Sequence, residues 1–327
     1  MINWRKWKKA LAAASLAVSI GLLAGCGGDT AKTDKAYNIG VVQLVEHGAL
    51  DAANKGFVDG LASKGYKDNV KFDQQNAQAD QSNLANIAQR FVSNKVDLIC
   101  AIATPSAQTV ANLTKDIPIV ATAVTDYEEA KLVESNEKPG GNVTGTTDMN
   151  PIEQQVDLLL RFAPNAKAIG LIYCSSEVNS QKQADIMKAY TESKGIRVLE
   201  ATVSTVNDIQ QAAQSLVGKV DAIYVPTDNI LASAMPTLAS ITIPAKLPVV
   251  AGADTMVKAG GIATVGIDYY KLGFQTGEMA ADILSGKAKP ADMPIQSQAN
   301  MTITINEEYA KQIGMEIPQD IKEKAAK

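Results

Sequence analysis

The residues able to do chemistry in this chain fall in short clusters, each close behind an apolar run. Gln43, Glu46 and His47 form the first, and Thr104-Pro105-Ser106 and Thr125-Asp126 the next two. Tyr173 ends a fourth run, with Asn179-Ser180 beyond it. Thr227-Asp228-Asn229, Asp254 and Tyr269 complete the set. Short hydroxyls and the free N–H groups of a helix start hold carboxylates. Pro105 suits the first turn of such a helix, where an N–H is dispensable. Asp126, Asp228 and Asp254 can hold an ammonium group, and Asp228 leads because Asn229 beside it adds a hydrogen bond. Tyr127, Tyr173, Tyr224 and Tyr269 offer flat walls to a ring. Each cluster also has an ordinary structural role. Ser, Thr and Asp after strands cap helices, and Tyr173 and Tyr224 sit within strand runs and suit a core. His47, the single histidine, can be a capping residue, and Glu46 can pair with it.

The same inventory is poor for catalysis. There is no Gly-x-Ser-x-Gly elbow, no Walker loop and no dinucleotide glycine fingerprint. One histidine and three cysteines leave no material for a zinc cluster, a disulfide scaffold or an iron–sulfur centre. No metal and no cofactor is expected, and no enzyme, although aspartates paired across a cleft keep hydrolysis as an alternative. A formal net charge of −4 argues against binding nucleic acid by neutralising phosphates.

Most of these clusters sit where strands would end. From Tyr37 onward, strand-like runs alternate with amphipathic helical stretches, the pattern of doubly wound α/β units. Leu50–Lys64 has helical spacing and stops at Gly65, a C-terminal cap. Val96–Ala103 and Ile117–Ala123 are continuous apolar runs, as expected of strands buried on both faces of a parallel sheet. The order then repeats. Ile39-Gly-Val-Val42 matches Ile169-Gly-Leu-Ile172, Gly65 matches Gly195, and Ile117-Pro-Ile-Val120 matches Leu247-Pro-Val-Val250, each about 130 residues on. The reading is two Rossmann-like doubly wound lobes. The turn Pro139-Gly-Gly-Asn142 lies near the joint, and Val143–Asn150 runs between the lobes. Beyond it, Ile262–Tyr270 reads as a strand and Met301–Ile305 as a last one, so the chain crosses between lobes more than once. In open α/β sheets, ligands bind outside the carboxyl ends of the strands, which is where the clusters fall.

Residues 1–25 read as an address. Arg5, Lys6, Lys8 and Lys9 make a basic head, and Leu11–Leu23 is an apolar run too short for a membrane span. Leu23-Ala-Gly-Cys26 resembles the bacterial lipobox, which implies lipidation of Cys26 and a flexible tether over 26–36. Loss of the leader removes four positive charges and takes the net charge from −4 to −8. It also removes both tryptophans, Trp4 and Trp7. Cys100 and Cys174 remain, and both are expected buried and reduced.

Several segments resemble the ABC-transporter substrate-binding family that includes tryptophan-binding lipoproteins. They are Thr104-Pro-Ser-Ala-Gln108, Asp116-Ile-Pro-Ile-Val120, Ala123-Val-Thr-Asp126, Pro139-Gly-Gly-Asn-Val-Thr-Gly145 and Pro164-Asn-Ala-Lys-Ala-Ile-Gly170. Val42-Gln-Leu-Val-Glu-His47 fits as well, with Gly48 where relatives often carry Pro. The resemblance runs over residues 37–315. It implies a type I periplasmic-binding-protein fold with a multi-segment hinge. Lobe 1 would hold 37–146 and about 271–298, and lobe 2 would hold 147–270 and about 299–327. It implies an extracytoplasmic lipoprotein anchored to the bacterial cell membrane and binding an amino acid, tryptophan first, in the inter-lobe cleft. Its partners would be an ABC permease and ATPase as separate chains. A different small solute, or a receptor-coupled sensor on the same fold, stays open.

Overall fold

The computed structural model of the chain describes residues 36–325. The leader, Cys26 and the tether up to residue 35 lie outside them. Two sheets make up the described residues. The first contains β1 (Tyr37–Gln43), β2 (Val70–Asn76), β3 (Leu98–Ile102), β4 (Ile119–Val124) and β5 (Val143–Thr147). They are parallel and ordered β2-β1-β3-β4-β5. The second contains β6 (Ala168–Cys174), β7 (Arg197–Val203), β8 (Ala222–Val225), β9 (Val249–Ala251), β10 (Ala263–Gly266) and β11 (Thr302–Ile305). Its order is β11-β10-β9-β8-β6-β7, with only β11 antiparallel. Setting β11 aside, the second order repeats the first, strand for strand. The internal repeat of about 130 residues is therefore a repeat of topology, and the fold is two α/β lobes.

Continuous apolar sequence gives strands sealed on both faces: β3, β4 and β6 are buried throughout. Helices cover them. Lobe 1 carries α1 (Gly48–Ser63), α2 (Gln81–Ser93) and α3 (Thr104–Leu113). Lobe 2 carries α4 (Ile152–Phe162), α5 (Val178–Ser193), α6 (Ile209–Leu216), α7 (Asn229–Ser233), α8 (Met235–Thr242) and α9 (Asp254–Gly260). α10 (Tyr269–Leu284) packs on α1, and α11 (Glu307–Gln312) and α12 (Gln319–Lys324) close the chain. Local chemistry sets the ends. Gly65, at φ +91°, follows α1 in a conformation that costs a side chain energy. Asp80, Asp228 and Asp268 cap α2, α7 and α10 by accepting backbone N–H groups. Phe57 and Phe91 are fully buried in lobe 1, each worth about 2–3 kcal/mol of transfer free energy. Cys100 and Cys174 are buried and free, on different sheets.

Two boundaries differ from the sequence reading. Val143–Thr147 does not run between lobes but pairs with β4 as a fifth strand, so only residues 148–151 make that crossing. Tyr269 does not extend a strand; β10 stops at Gly266 and Tyr269 opens α10. The chain crosses between the sheets three times: after β5, after β10 and before β11. These crossings are tied together. Asn150 Nδ2 donates to Gly252 O at 3.0 Å, and its Oδ1 accepts Ile267 N at 3.3 Å. Gln298 exchanges two hydrogen bonds with the backbone of Asp268.

Candidate ligand-binding cleft

Between the carboxyl ends of the two sheets lies about 320 Å³ of free space, part of it open to solvent. Lobe 1 contributes His47, Ala49 and Leu50 from the start of α1, Ala123 and Thr125 from the end of β4, and Asp148 from the first crossing. Lobe 2 contributes Asn179, Thr227, Asp228, Asn229, Ala232, Ala253 and Met256, and Tyr269 enters from the start of α10. Two carboxylates line the space and no lysine or arginine does. The site therefore favours a cationic group. Met256, Leu50 and the alanines give it an apolar wall.

Asp148 is buried where β5 ends. Its Oδ1 accepts Thr125 Oγ1 at 2.8 Å and its Oδ2 accepts Tyr269 Oη at 2.7 Å. Burial pushes its carboxyl above the usual range, and the two hydroxyls pull it partly back. A positive charge arriving in the cavity would supply what this carboxylate lacks. Backbone strain sits nearby. Ala103 (φ +85°, ψ 153°), just before α3, and Ala123 (φ +55°) both hold left-handed conformations. Ala103 lies in a region almost reserved for glycine, and such strain gathers at functional sites.

The lobe 2 wall is a dense hydrogen-bonded cluster. Asp228 accepts Cys174 N at 2.6 Å and Leu231 N at 2.8 Å. Glu177, also buried, accepts Asn229 Nδ2 at 2.6 Å and Asn179 Nδ2 at 3.0 Å. Burial and then the Asp228 charge push the Glu177 carboxyl well up. Burial also raises Asp228, whose two backbone donors favour its charged form. Asp228 is thus the ionised member and Glu177 the protonated one. Gln183 is fixed by Thr227, whose N and Oγ1 both donate to its Oε1.

The two walls touch. His47 Nε2 lies 3.3 Å from Asn229 Oδ1. Lys182 on α5 reaches Glu129 at 3.3 Å and Asp126 at 3.7 Å in the loop after β4. A Cβ on Gly48 would stand 3.1 Å from Thr255 on α9, so the start of α1 abuts the start of α9. The cleft is closed.

Of the residues singled out from sequence, the cavity gathers His47, Thr125, Asn179, Thr227, Asp228, Asn229 and Tyr269. The others stand elsewhere. Gln43 is bonded to Asp51, Asn54 and Val45 O, holding the turn into α1. Glu46 is exposed rather than paired with His47. Thr104 and Ser106 are buried in the first turn of α3 with Pro105, and both hydroxyls lack a partner. Asp126 caps its own loop and meets Lys182. Tyr173 donates to Glu200 on β7 at 3.1 Å. Ser180 is buried below Asn179, whose Nδ2 donates to it at 3.2 Å. Asp254 opens α9 and pairs with Lys258 at 2.6 Å. Tyr127 and Tyr224 are core residues whose hydroxyls are satisfied internally. Asp228, favoured as an ammonium partner, spends both oxygens on backbone N–H groups. The acid missed was Asp148: it follows a strand as the others do, but its segment read as a connector. The alanines and Met256 carry no signal in sequence.

The family described as ABC transporter substrate binding protein matches residues 38–327. A protein of Clostridioides difficile (strain R20291) named tyrosine-binding protein is 46% identical over 328 residues, 97% of this chain and 94% of that one. A crystal structure from Streptococcus pneumonia in complex with L-Trp is 44% identical, covers 89% of this chain and 99% of its own, and superposes with a TM-score of 0.86. The ligand-free, open structure of a Clostridium difficile substrate binding protein with adhesive properties is 47% identical. It covers 89% of this chain and 98% of its own, with a TM-score of only 0.68. At near-equal identity and coverage, a drop of this size is what a different angle between lobes produces. The lobes here stand as in the liganded relative, in agreement with the contacts across the cleft.

Proposed function

The chain belongs to the ABC transporter substrate-binding protein family and has the type I periplasmic-binding-protein fold, and from that premise we propose that it is an extracytoplasmic lipoprotein carrying an aromatic amino acid to a membrane permease. A member of this family is a binding protein rather than an enzyme. Tyrosine and tryptophan are the two leading ligands, because one relative is named for the first and another was solved with the second. The observation that carries the reading is Asp148. It is a buried, acceptor-only carboxylate on the wall of a closed cavity, with no cationic residue lining that cavity. It takes the ligand's ammonium group, in place of Asp228. The unpartnered hydroxyls of Thr104 and Ser106, with the amides of the α3 start, have the chemistry for the ligand's carboxylate, and a carboxylate reaching them would extend the site beyond the space that is free in this closed arrangement. Met256, Leu50 and the alanines take the ring.

Binding energy then favours the closed arrangement of the lobes, and closure is what the permease senses. One lobe comprises 37–147 with about 269–298, and the other about 152–266 with about 299–325. Cys26 carries the lipid, and the tether to residue 36 spaces the lobes from the membrane. No helix among the described residues is long and apolar enough to cross a membrane. The permease and ATPase are separate chains.

The test is a titration of residues 27–327 with L-tryptophan and L-tyrosine. This segment contains no tryptophan, so indole fluorescence reports the ligand. Saturable binding of one molecule per chain, with a rise in melting temperature that leucine does not match, is expected. Failure of every aromatic amino acid to bind overturns the ligand assignment. Loss of membrane association in a full-length Cys26→Ser variant checks the anchor.

A further inference from the structure

We propose that His47 reads a hydrogen-bond donor on the ligand, through an Nδ1 acceptor that lobe 2 fixes by docking Asn229 on Nε2. The inference rests on the aromatic amino acid reading and deepens it. A neutral imidazole donates from one nitrogen and accepts at the other, and the partner of one decides the role of the other. The partner here is unambiguous. Asn229 donates to Glu177 Oε2 twice, from Nδ2 at 2.6 Å and from its backbone N at 3.3 Å. Asn179 Nδ2 donates to the same oxygen at 3.0 Å. The amide of Asn229 is thereby oriented with Oδ1 toward His47, so Nε2 must carry the hydrogen. Nδ1 is left as a bare acceptor. It is sealed from solvent and has no partner in the protein, on a residue that lines the cavity. An acceptor buried this way is costly unless something in the cavity supplies a hydrogen. An aromatic amino acid brings such donors in its ammonium group and in an indole N–H or phenol O–H.

The arrangement joins recognition to closure. His47 belongs to lobe 1, while Asn229, Asn179 and Glu177 belong to lobe 2. In an open cleft both ring nitrogens meet water and the tautomer is free. Closure selects one tautomer and turns its acceptor on the ligand. Protonation would undo this by placing a second N–H where the acceptor must be. Burial pushes the imidazole below its ordinary range, while the Asn229 bond and Asp51 on its own helix pull upward. The other acids facing it are Asp148, Asp228 and Glu177 around the cavity and Asp254 on the abutting α9. Because the closed state disfavours the charged ring, affinity falls as pH drops through the ordinary histidine value of about 6.5, by up to roughly tenfold per unit.

His47 is the single histidine of the chain, so the nitrogen-15 NMR spectrum of untagged protein reports this ring alone. With L-tryptophan or L-tyrosine added, an Nε2–H tautomer with a hydrogen-bonded Nδ1 is expected. Asn229→Ala should return the complex toward mixed tautomers, a change that a merely structural role for Asn229 would not produce. His47→Ala should weaken binding roughly tenfold and abolish the acid-side fall in affinity. L-phenylalanine and the des-amino analogues locate the donor. A loss that persists with L-phenylalanine assigns it to the ammonium group; one confined to tyrosine and tryptophan assigns it to the ring. An Nδ1–H tautomer in the complex, or unchanged affinity in His47→Ala, overturns the inference while leaving the ligand reading intact. Failure of the wild-type protein to bind any aromatic amino acid overturns both.

Discussion

At the scale of single residues, the cavity separates two buried aspartates by what they already hold. Asp148 accepts from two hydroxyls that can turn away or share. Asp228 accepts from two backbone amides that cannot. Replacing each with asparagine should therefore give opposite signatures. Asp148→Asn keeps the fold and loses binding by about 100-fold or more, because a buried ion pair broken on one side costs roughly 3–5 kcal/mol. Asp228→Asn lowers the melting temperature because the amide can accept only one of the two backbone N–H groups that the carboxylate holds, leaving a buried donor unpaired at a cost of about 1–3 kcal/mol, and changes affinity less. Calorimetry of both variants with and without ligand checks this. Glu177 gives a pH prediction. Its carboxyl is raised in the folded protein by burial and by Asp228, so the folded state binds a proton that the unfolded chain releases. That contribution is fully present below the unfolded glutamate value, about 4.3, and is lost as pH rises through the raised folded value. The ligand-free protein should lose stability as pH rises from about 5 toward the folded value of about 8 and level off beyond it, and Glu177→Gln should flatten that slope in denaturant melts. Much of this was legible before the fold. Strand-end polar residues were visible as clusters, and seven of them meet in the cavity. Tyr173 was misleading because alternate strand residues face opposite ways, and its hydroxyl goes to Glu200 on the neighbouring strand.

At the scale of elements, the site hangs on two parallel helices. α1 begins just after His47 and α10 begins at Tyr269, and the two pack backbone to backbone. A Cβ on Gly60 would stand 2.1 Å from Phe274 O, and one on Gly273 would stand 1.9 Å from Ala53 O. Gly56 and Gly277 are as tight, at 2.1 Å from Tyr270 O and 2.3 Å from Phe57 O. Carbonyl oxygens at those distances yield only if the helices separate. Gly60→Ala should therefore destabilise by about 1–3 kcal/mol, although alanine is the better helix former by about 1 kcal/mol. It should also weaken ligand binding, since parting the helices moves His47 away from Tyr269. Chemical denaturation and a ligand titration on one sample measure both. The sequence announced α1 by its periodicity and its glycine stop. It could not announce the contact of α1 with α10, because Gly60 and Phe274 are far apart in the chain and a glycine inside a helical pattern looks merely tolerated. The doubling of the lobes was readable for a different reason: the second set of strand and helix runs repeats the first, although the order of strands within each sheet comes only from the structure. Asp148 fell outside that logic, since β5 becomes a strand only by pairing with β4.

At the scale of the molecule, the lobes are held shut by few contacts, and those contacts set how long a ligand stays. The His47–Asn229 bond lies inside the cleft. Lys182, from α5 to Asp126 and Glu129, lies at its rim and is about one-third exposed. An exposed ion pair contributes roughly 0.2–1 kcal/mol, which is small against the stability of either lobe. It is not small against an equilibrium between two lobe arrangements, where a few tenths of a kcal/mol already move the populations. Lys182→Glu replaces attraction by repulsion from two acids of the other lobe and should favour the open arrangement. Ligand release should speed up by roughly 3–10-fold, while association, which proceeds through the open form, changes little. Melting temperature without ligand should hold, because neither lobe loses a core contact. Raising ionic strength to about 1 M shrinks the screening length to roughly 3 Å and should bring the two proteins' release rates together. Stopped-flow displacement at low and high salt gives both numbers. Equal release rates at low salt would mean that the rim pair adds nothing to the closed arrangement, and that retention rests on the contacts buried within the cleft.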